Sequence, residues 1–241
     1  MNPPVDPSDV SALVFDTFGT LVDWRSSLTV ELAQFGAARG IRIDWAAFVD
    51  AWRAGYQPAM EPIRSGARGF TKLDVLHRET LDQLVKQFGV TGLSEADLDW
   101  LNRGWHRLKP WPDVVPGLTR LKRKFILSPL SNGNTALLLN MAKNAGMPWD
   151  TVLGSDTFRA YKPMPEAYLG MADLLGLPAG RVMLVAAHNG DLAAARRAGL
   201  RTGFMPRPRE YGPGQKIDFA ATEAWDVIGT DLCDIAAKLG V

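Results

Sequence analysis

Asp16 stands directly after the apolar run Ala12 to Phe15 and just ahead of a Gly19-Thr20 turn, a lone carboxylate at the end of what reads as a short buried strand. Ionised and well aimed, such a group attacks an electrophile and forms an ester that water must then remove. A strand-end aspartate also serves simply to cap its own turn, and Asp16 alone carries no more than that. Three other stretches bring polar groups to the ends of comparable runs. Ser131 and Asn132 close the run in "FILSPLSN", where both residue types also act as helix N-caps. Lys162, in "AYKPMPEAY", offers an ammonium that rigid backbone can turn inward, although the usual fate of a lysine is exposure. "VMLVAAHNGD" passes through His188 and Asn189 to Asp191 at a helix start, a position the helix dipole favours for any acid.

Those residues need elements to hold them. The runs "ALVFD", "FILSPLSN", "RVMLVAAHN" and "RTGFM" are each followed by polar or small residues and then by helix-like segments. That alternation predicts an α/β fold, a doubly wound parallel sheet whose ligands sit beyond the carboxyl ends of the strands. Between Val22 and about Trp111 the pattern becomes long amphipathic stretches such as "WAAFVDAWRAGY" and "KLDVLHRETLDQLVKQFG", with no convincing strand. The spacing predicts a helical cap over residues 22–111, inserted into a core made of residues 1–21 and 112–241. "NTALLLNMAKNAGMP" reads as a helix with Asn134 as N-cap and Gly146 near its C-terminus, and "MPRPREYGPGQK" as a surface loop after the last core strand.

The four motifs, in this order and at these separations, resemble those of the haloacid dehalogenase superfamily. "FDTFGTL" matches the nucleophile motif, "LSNGN" the second, "YKPMPEAY" the lysine motif and "AAHNGD" the acidic fourth. The resemblance implies a Rossmann-like core in which Asp16 is the nucleophile and Lys162 holds the charges of the site together. Most of that superfamily are magnesium-dependent phosphatases, and two of their parts are missing. The residue two after the nucleophile, an acid in those enzymes, is Phe18, and Ala186, Ala187 and His188 precede a single Asp191 in the fourth motif. Magnesium requires several oxygens in a near-octahedral array, whereas a halide leaving group needs neither metal nor proton donor. No metal and no cofactor are therefore expected.

Within the superfamily the chain is most similar to the L-2-haloacid dehalogenases, through "FDTFGTLVDW", "AWRAGY", "LSNGN" and "YKPMPEAY". This implies that Arg53 enters the cleft and holds the halide or the substrate carboxylate, which its planar guanidinium suits. It implies substrate or halide contacts for Thr20, Ser131, Asn132, Tyr168 and Asn189, and a catalytic part for Asp191. The fourth motif departs from the usual pattern, in which a serine and an asparagine precede the aspartate and an aromatic residue adjoins it. Those places hold Ala186, His188 and Gly190, so His188 is expected to replace a missing donor at Asp16, Asp191 or the departing halide. The expected reaction is hydrolysis of a short 2-haloalkanoic acid to a 2-hydroxy acid through an aspartyl ester, with fluoroacetate as a candidate substrate. Its rivals are a phosphatase of the same superfamily acting on a small phosphoester and a catalytically silent binding protein.

Composition fits this reading. With 46% hydrophobic and 22% charged residues the 241-residue chain can bury a large core, and a net charge of +1 provides no field to recruit nucleic acid or membrane. Cys233 is the one cysteine, which suits a reducing cytoplasm and excludes an internal disulfide. The start "MNPPVDPSDV" lacks the pattern of a secretory signal, and no apolar run approaches the ~20 residues of a membrane span. The resemblance implies a homodimer. His77 and His106 have no acidic or nucleophilic partner nearby in sequence and are expected in the surface or the core. Trp45, Trp52, Trp100 and Trp105 are expected to pack the cap helices.

Overall fold

The computed structural model describes residues 9–241. The polar start read above lies mostly outside the described residues. Strand β1 (Ala12–Phe15) is buried throughout. After a short β2 (Val22–Asp23) come helices α1 (Trp24–Arg39), α2 (Trp45–Ala54), α3 (Tyr56–Arg64), α4 (Leu73–Gln87) and α5 (Glu95–Asn102). The chain returns through β3 (Lys109–Pro110), α6 (Val114–Leu121) and β4 (Ile126–Pro129) to α7 (Thr135–Ala145), α8 (Ser155–Phe158) and α9 (Pro165–Leu174). It ends with β5 (Val182–Ala186), α10 (Asn189–Arg197), β6 (Arg201–Phe204), β7 (Val227–Ile228) and α11 (Leu232–Lys238).

Five strands form one parallel sheet in the order β4-β1-β5-β6-β7. The register aligns Phe15 with Pro129 on one side and with Val185 on the other, so three strands leave the sheet at one level. Helices cover both faces, which explains why β1 and β5 read as continuous apolar runs instead of alternating ones. The expectation of a strand-free region between Val22 and Trp111 needs one correction. β2 and β3 pair antiparallel, Val22 with Pro110 and Asp23 with Lys109, where the chain leaves and re-enters the core. Two residues per strand are too few to show a period of two.

The helices between β2 and β3 pack around buried aromatics, with Phe48, Trp52 and Trp105 each at most 1% exposed. Asp23 and Asp44 cap α1 and α2 by accepting from the backbone N–H of Ser26 and Ala47. α3 carries Pro58 and Pro62, which conceal its helical pattern in the sequence. Gly146 closes α7 in the left-handed conformation, as read from the sequence. Asn134 stands at the N-cap of α7, but its side chain reaches across to α4 instead. It donates to Asp74 Oδ2 at 2.9 Å and accepts from the Asp74 backbone at 3.1 Å. His106 Nε2 lies 2.9 Å from the other oxygen of Asp74, so α4 and α7 are tied by a partly buried polar cluster. No described helix is long and apolar enough to cross a membrane.

Candidate active site

Because the three strand ends leave the sheet together, Asp16, Asn132 and His188 converge over its carboxyl edge, and a cavity of about 490 Å³ opens above them. Lys162 reaches its floor from the segment before α9, whereas Arg53 and Tyr56 form its wall from the helical insertion. Tyr168, Asp191, Gly190 and Phe18 complete the part nearest the sheet.

Lys162 Nζ bridges the two acids, 2.8 Å from Asp16 Oδ1 and 2.5 Å from Asp191 Oδ2. Asp191 Oδ1 accepts from the Tyr168 hydroxyl at 2.7 Å. The backbone N–H of Lys162 donates to Asn132 Oδ1 at 2.7 Å, so Asn132 fixes the start of the lysine segment. The two oxygens of Asp16 are held differently. Oδ2 accepts from the Thr20 hydroxyl at 2.5 Å and faces His188 Nδ1 at 2.9 Å. Oδ1 is held by Lys162 alone among the described residues, and Asp16 lines the cavity.

Burial by itself would raise the Asp16 pKa, but the Lys162 charge and the His188 contact outweigh it and hold the group far below the ordinary carboxylate range. Asp191 moves the other way. Burial raises it, the Lys162 charge opposes this, and the nearby Asp16 charge adds to the rise. Burial would lower Lys162, yet Asp16 and Asp191 lift it well above its usual value, so it stays charged. Burial and the Asp191 charge likewise raise Tyr168, which remains a donor. Two acids on one ammonium thus differ in basicity, the pattern expected of a nucleophile beside a base.

The Arg53 guanidinium stacks on Tyr56, 4.3 Å from the ring centroid, and its Nη2 is 3.9 Å from Glu210 Oε1. Its Nη1 is buried with no hydrogen-bond partner among the described residues. A buried cationic donor left free at a cavity wall is suited to an anion.

Of the residues expected at the site, Asp16, Arg53, Asn132, Lys162, Tyr168, His188 and Asp191 line the cavity. Thr20, Ser131 and Asn189 stand behind its wall. Thr20 is fully buried, donating to Asp16 and accepting from the Ala187 backbone at 3.0 Å. Ser131 accepts from the Gly133 backbone in its own turn. The Asn189 side chain is committed to the segment after β6, with bonds to Asp218, Ala220, Thr222 and Trp225.

The largest omission lies in "MPRPREYGPGQK", read above as a surface loop. Met205, Arg207 and Glu210 are all buried. Arg207 binds Asp113 through two 2.8 Å contacts and donates to the Thr20 carbonyl, which folds the segment against the turn after Asp16. Glu210 thereby meets His188 Nε2 at 2.8 Å, and Tyr211 joins the cavity wall. The available signal was topological, since the segment follows β6 on the side of the sheet where ligands bind.

Among the described residues no group of three His, Cys, Asp or Glu side chains is arranged to hold a metal ion. The cation that bridges Asp16 and Asp191 in this structure is the Lys162 ammonium.

The family model described as haloacid dehalogenase-like hydrolase matches residues 10–199. A defluorinating L-2-haloacid dehalogenase of solved structure is 54% identical, with a TM-score of 0.94 and 96% of each chain covered. A second solved L-2-haloacid dehalogenase is 49% identical with a TM-score of 0.93, over 95% of this chain and 98% of the other. The (S)-2-haloacid dehalogenase of Xanthobacter autotrophicus is 28% identical over 204 residues, 82% of this chain and 76% of that enzyme.

Proposed function

This chain belongs to the haloacid dehalogenase-like hydrolase family, and on that premise we propose that it hydrolyses the carbon–halogen bond of short 2-haloalkanoic acids to give 2-hydroxy acids. The likeness to L-2-haloacid dehalogenases at 54% and 49% identity supports the reaction class. The observation that carries the mechanism is the asymmetry of Asp16. It is ionised, one oxygen is held by Thr20 and His188 and the other by Lys162 alone, and the cavity they line carries Arg53, whose Nη1 has no partner among the described residues.

In the first step Asp16 Oδ1 attacks C2 from the side opposite the halogen. The C2–halogen pair leaves as halide, and a covalent ester joins Asp16 to the substrate. Arg53 holds the substrate carboxylate or the halide by charge-assisted hydrogen bonds. Lys162 keeps Asp16 ionised without protonating it. Asp191, the more basic acid, accepts a proton from the water that attacks the ester carbonyl. Because water attacks the carboxyl carbon, configuration at C2 inverts once overall. Phe18 leaves the site without the acid that an oxygen leaving group requires, a need that halide does not have. The reading assigns no metal to the reaction, and the helices from α1 to α5 act as a lid that excludes bulk water. Fluoroacetate belongs to the proposed substrate range.

Halide release from a panel of fluoro-, chloro- and bromo-acids, with and without EDTA, tests this reading. Release that persists with chelator is expected. Magnesium-dependent phosphate release with no halide would instead identify a phosphatase, and silence on every substrate a binding protein. In one turnover run in oxygen-18 water, label is expected in Asp16 and not in the first product. Label appearing first in product would replace the ester by direct attack of water.

A further inference from the structure

The nucleophile ends a chain of three groups that includes a residue outside all four motifs. His188 lies between Asp16 Oδ2 and Glu210 Oε2, at 2.9 and 2.8 Å. Glu210 is 2% exposed, and its other oxygen accepts from Trp24 Nε1 at 3.1 Å and faces Arg53 Nη2 at 3.9 Å. A ring set between two carboxylates satisfies both only when each nitrogen carries a proton. Burial would lower the His188 pKa, but Glu210 and Asp16 outweigh it and lift the group well above its ordinary value. The remaining titratable or charged groups of the same cavity are the cations Arg53 and Lys162, the acids Asp191 and Asp218, and Tyr56, Tyr168 and Tyr211.

The proposed reaction makes the position of this ring significant. With Oδ1 bonded to C2, Oδ2 becomes the carbonyl oxygen of the ester, and it carries the negative charge when water adds to the carboxyl carbon. We propose that Glu210 is a positioning residue that holds His188 as an imidazolium on Asp16 Oδ2, so that His188 and Thr20 together stabilise the oxyanion during ester hydrolysis. The inference rests on the dehalogenation reading. In that step the water oxygen bonds to Cγ, its proton passes to Asp191, and the carbonyl pair moves onto Oδ2. When that pair returns, the Cγ–Oδ1 bond breaks, and the product alkoxide leaves with Oδ1 and takes the proton from Asp191. The regenerated Asp16 carboxyl releases the second proton of the water to solvent. His188 donates a hydrogen bond throughout and keeps its proton.

Two measurements test this. In nitrogen-15 NMR, the histidine signal that disappears in His188→Gln is expected to report an imidazolium at pH 8 and to titrate at lower pH in Glu210→Gln. In rapid mixing with 2-chloropropionate, His188→Gln is expected to lose about 10²–10³-fold in kcat, the usual effect of one oxyanion donor. Glu210→Gln is expected to release about one halide per site in a burst and then turn over slowly. The ester should accumulate on Asp16 as an added mass, and the alkaline limb of kcat should move to lower pH. A neutral His188 at pH 8 overturns the proposal, as does Glu210→Gln with no burst and an unchanged alkaline limb. If Glu210→Gln does not fold, the charge of His188 in the unmutated protein still decides. Halide release by the unmutated protein separates the two readings. With release intact and these signatures missing, only the pair falls; with no release from any 2-haloacid, the dehalogenation reading falls and takes the ester-step role with it.

Discussion

Asp16 differs from an ordinary strand-end aspartate in how many donors each oxygen has. Two donors on Oδ2 and one on Oδ1 leave a single direction for attack, and the Lys162 ammonium keeps that oxygen ionised in a site where burial alone would protonate it. Arg53 depends on geometry as much as on charge. Its flat guanidinium lies on Tyr56 while Nη1 stays free, an arrangement that the compact head of a lysine cannot copy. Arg53→Lys keeps the charge, and kcat/KM for 2-chloropropionate is expected to fall about 10–100-fold, the equivalent of one charge-assisted hydrogen bond. Steady-state kinetics will check this, and an unchanged kcat/KM would mean that the substrate does not use the fork. The sequence made Asp16 legible because a strand end is marked by where an apolar run stops, whereas Lys162, grouped with the ends of such runs, comes from the segment before α9, and Asp191 from the first turn of α10. It did not reveal the state of the His188 ring, because its second partner lies 22 residues further along.

The turn after Asp16 and the segment after β6 are joined by Arg207 and Glu210. Gly19 has φ of +85°, a backbone that side-chain-bearing residues adopt at a cost, and a Cβ built on it would sit 2.1 Å from Glu210 Oε1. Glu210 is buried and tied to Trp24 and His188, so it has little room to retreat. Gly19→Ala is therefore expected to lower the melting temperature by about 2–8 °C, from roughly 1–2 kcal/mol of backbone strain in a chain of this size. It should also move the alkaline limb of kcat to lower pH, as in Glu210→Gln. A melting change with an unaltered pH profile would place Gly19 in the turn only. Proline, glycine and charge made "MPRPREYGPGQK" look solvent-exposed, and local composition was misleading there. Arg207 is buried because Asp113 and the Thr20 carbonyl take up its donors, and Asp113 precedes it by 94 residues.

At the scale of the molecule, the helical insertion and the sheet meet through the Asp74 cluster and through aromatic rings behind the cavity. His77 lies among those rings, stacked on Trp105 at 4.4 Å, and neither of its nitrogens has a partner among the described residues. Burial drops its pKa to about 3. The unfolded chain, with an ordinary value of 6.5, therefore binds the proton first. The contribution of neutral His77 to stability is complete above pH 6.5 and is lost as pH falls toward 3, by on the order of 5 kcal/mol. His77→Phe should flatten that slope in denaturant titrations between those limits, and an unchanged slope would assign the acid sensitivity elsewhere. His106 pairs with Asp74, 32 residues before it, at 2.9 Å once the fold closes. By itself the sequence determined the parallel sheet, the long helical insertion after its first strand, and the polar residues at the strand ends, because these follow from short-range periodicity. Only the tertiary structure decided that Glu210 sits against His188, that Thr20 supports Asp16 from behind, and that Asn189 faces away. Glu210 is held there by Trp24, 186 residues away, and Thr20 by the Ala187 backbone, 167 residues away, and close packing, which no local pattern encodes, selects which side chains meet.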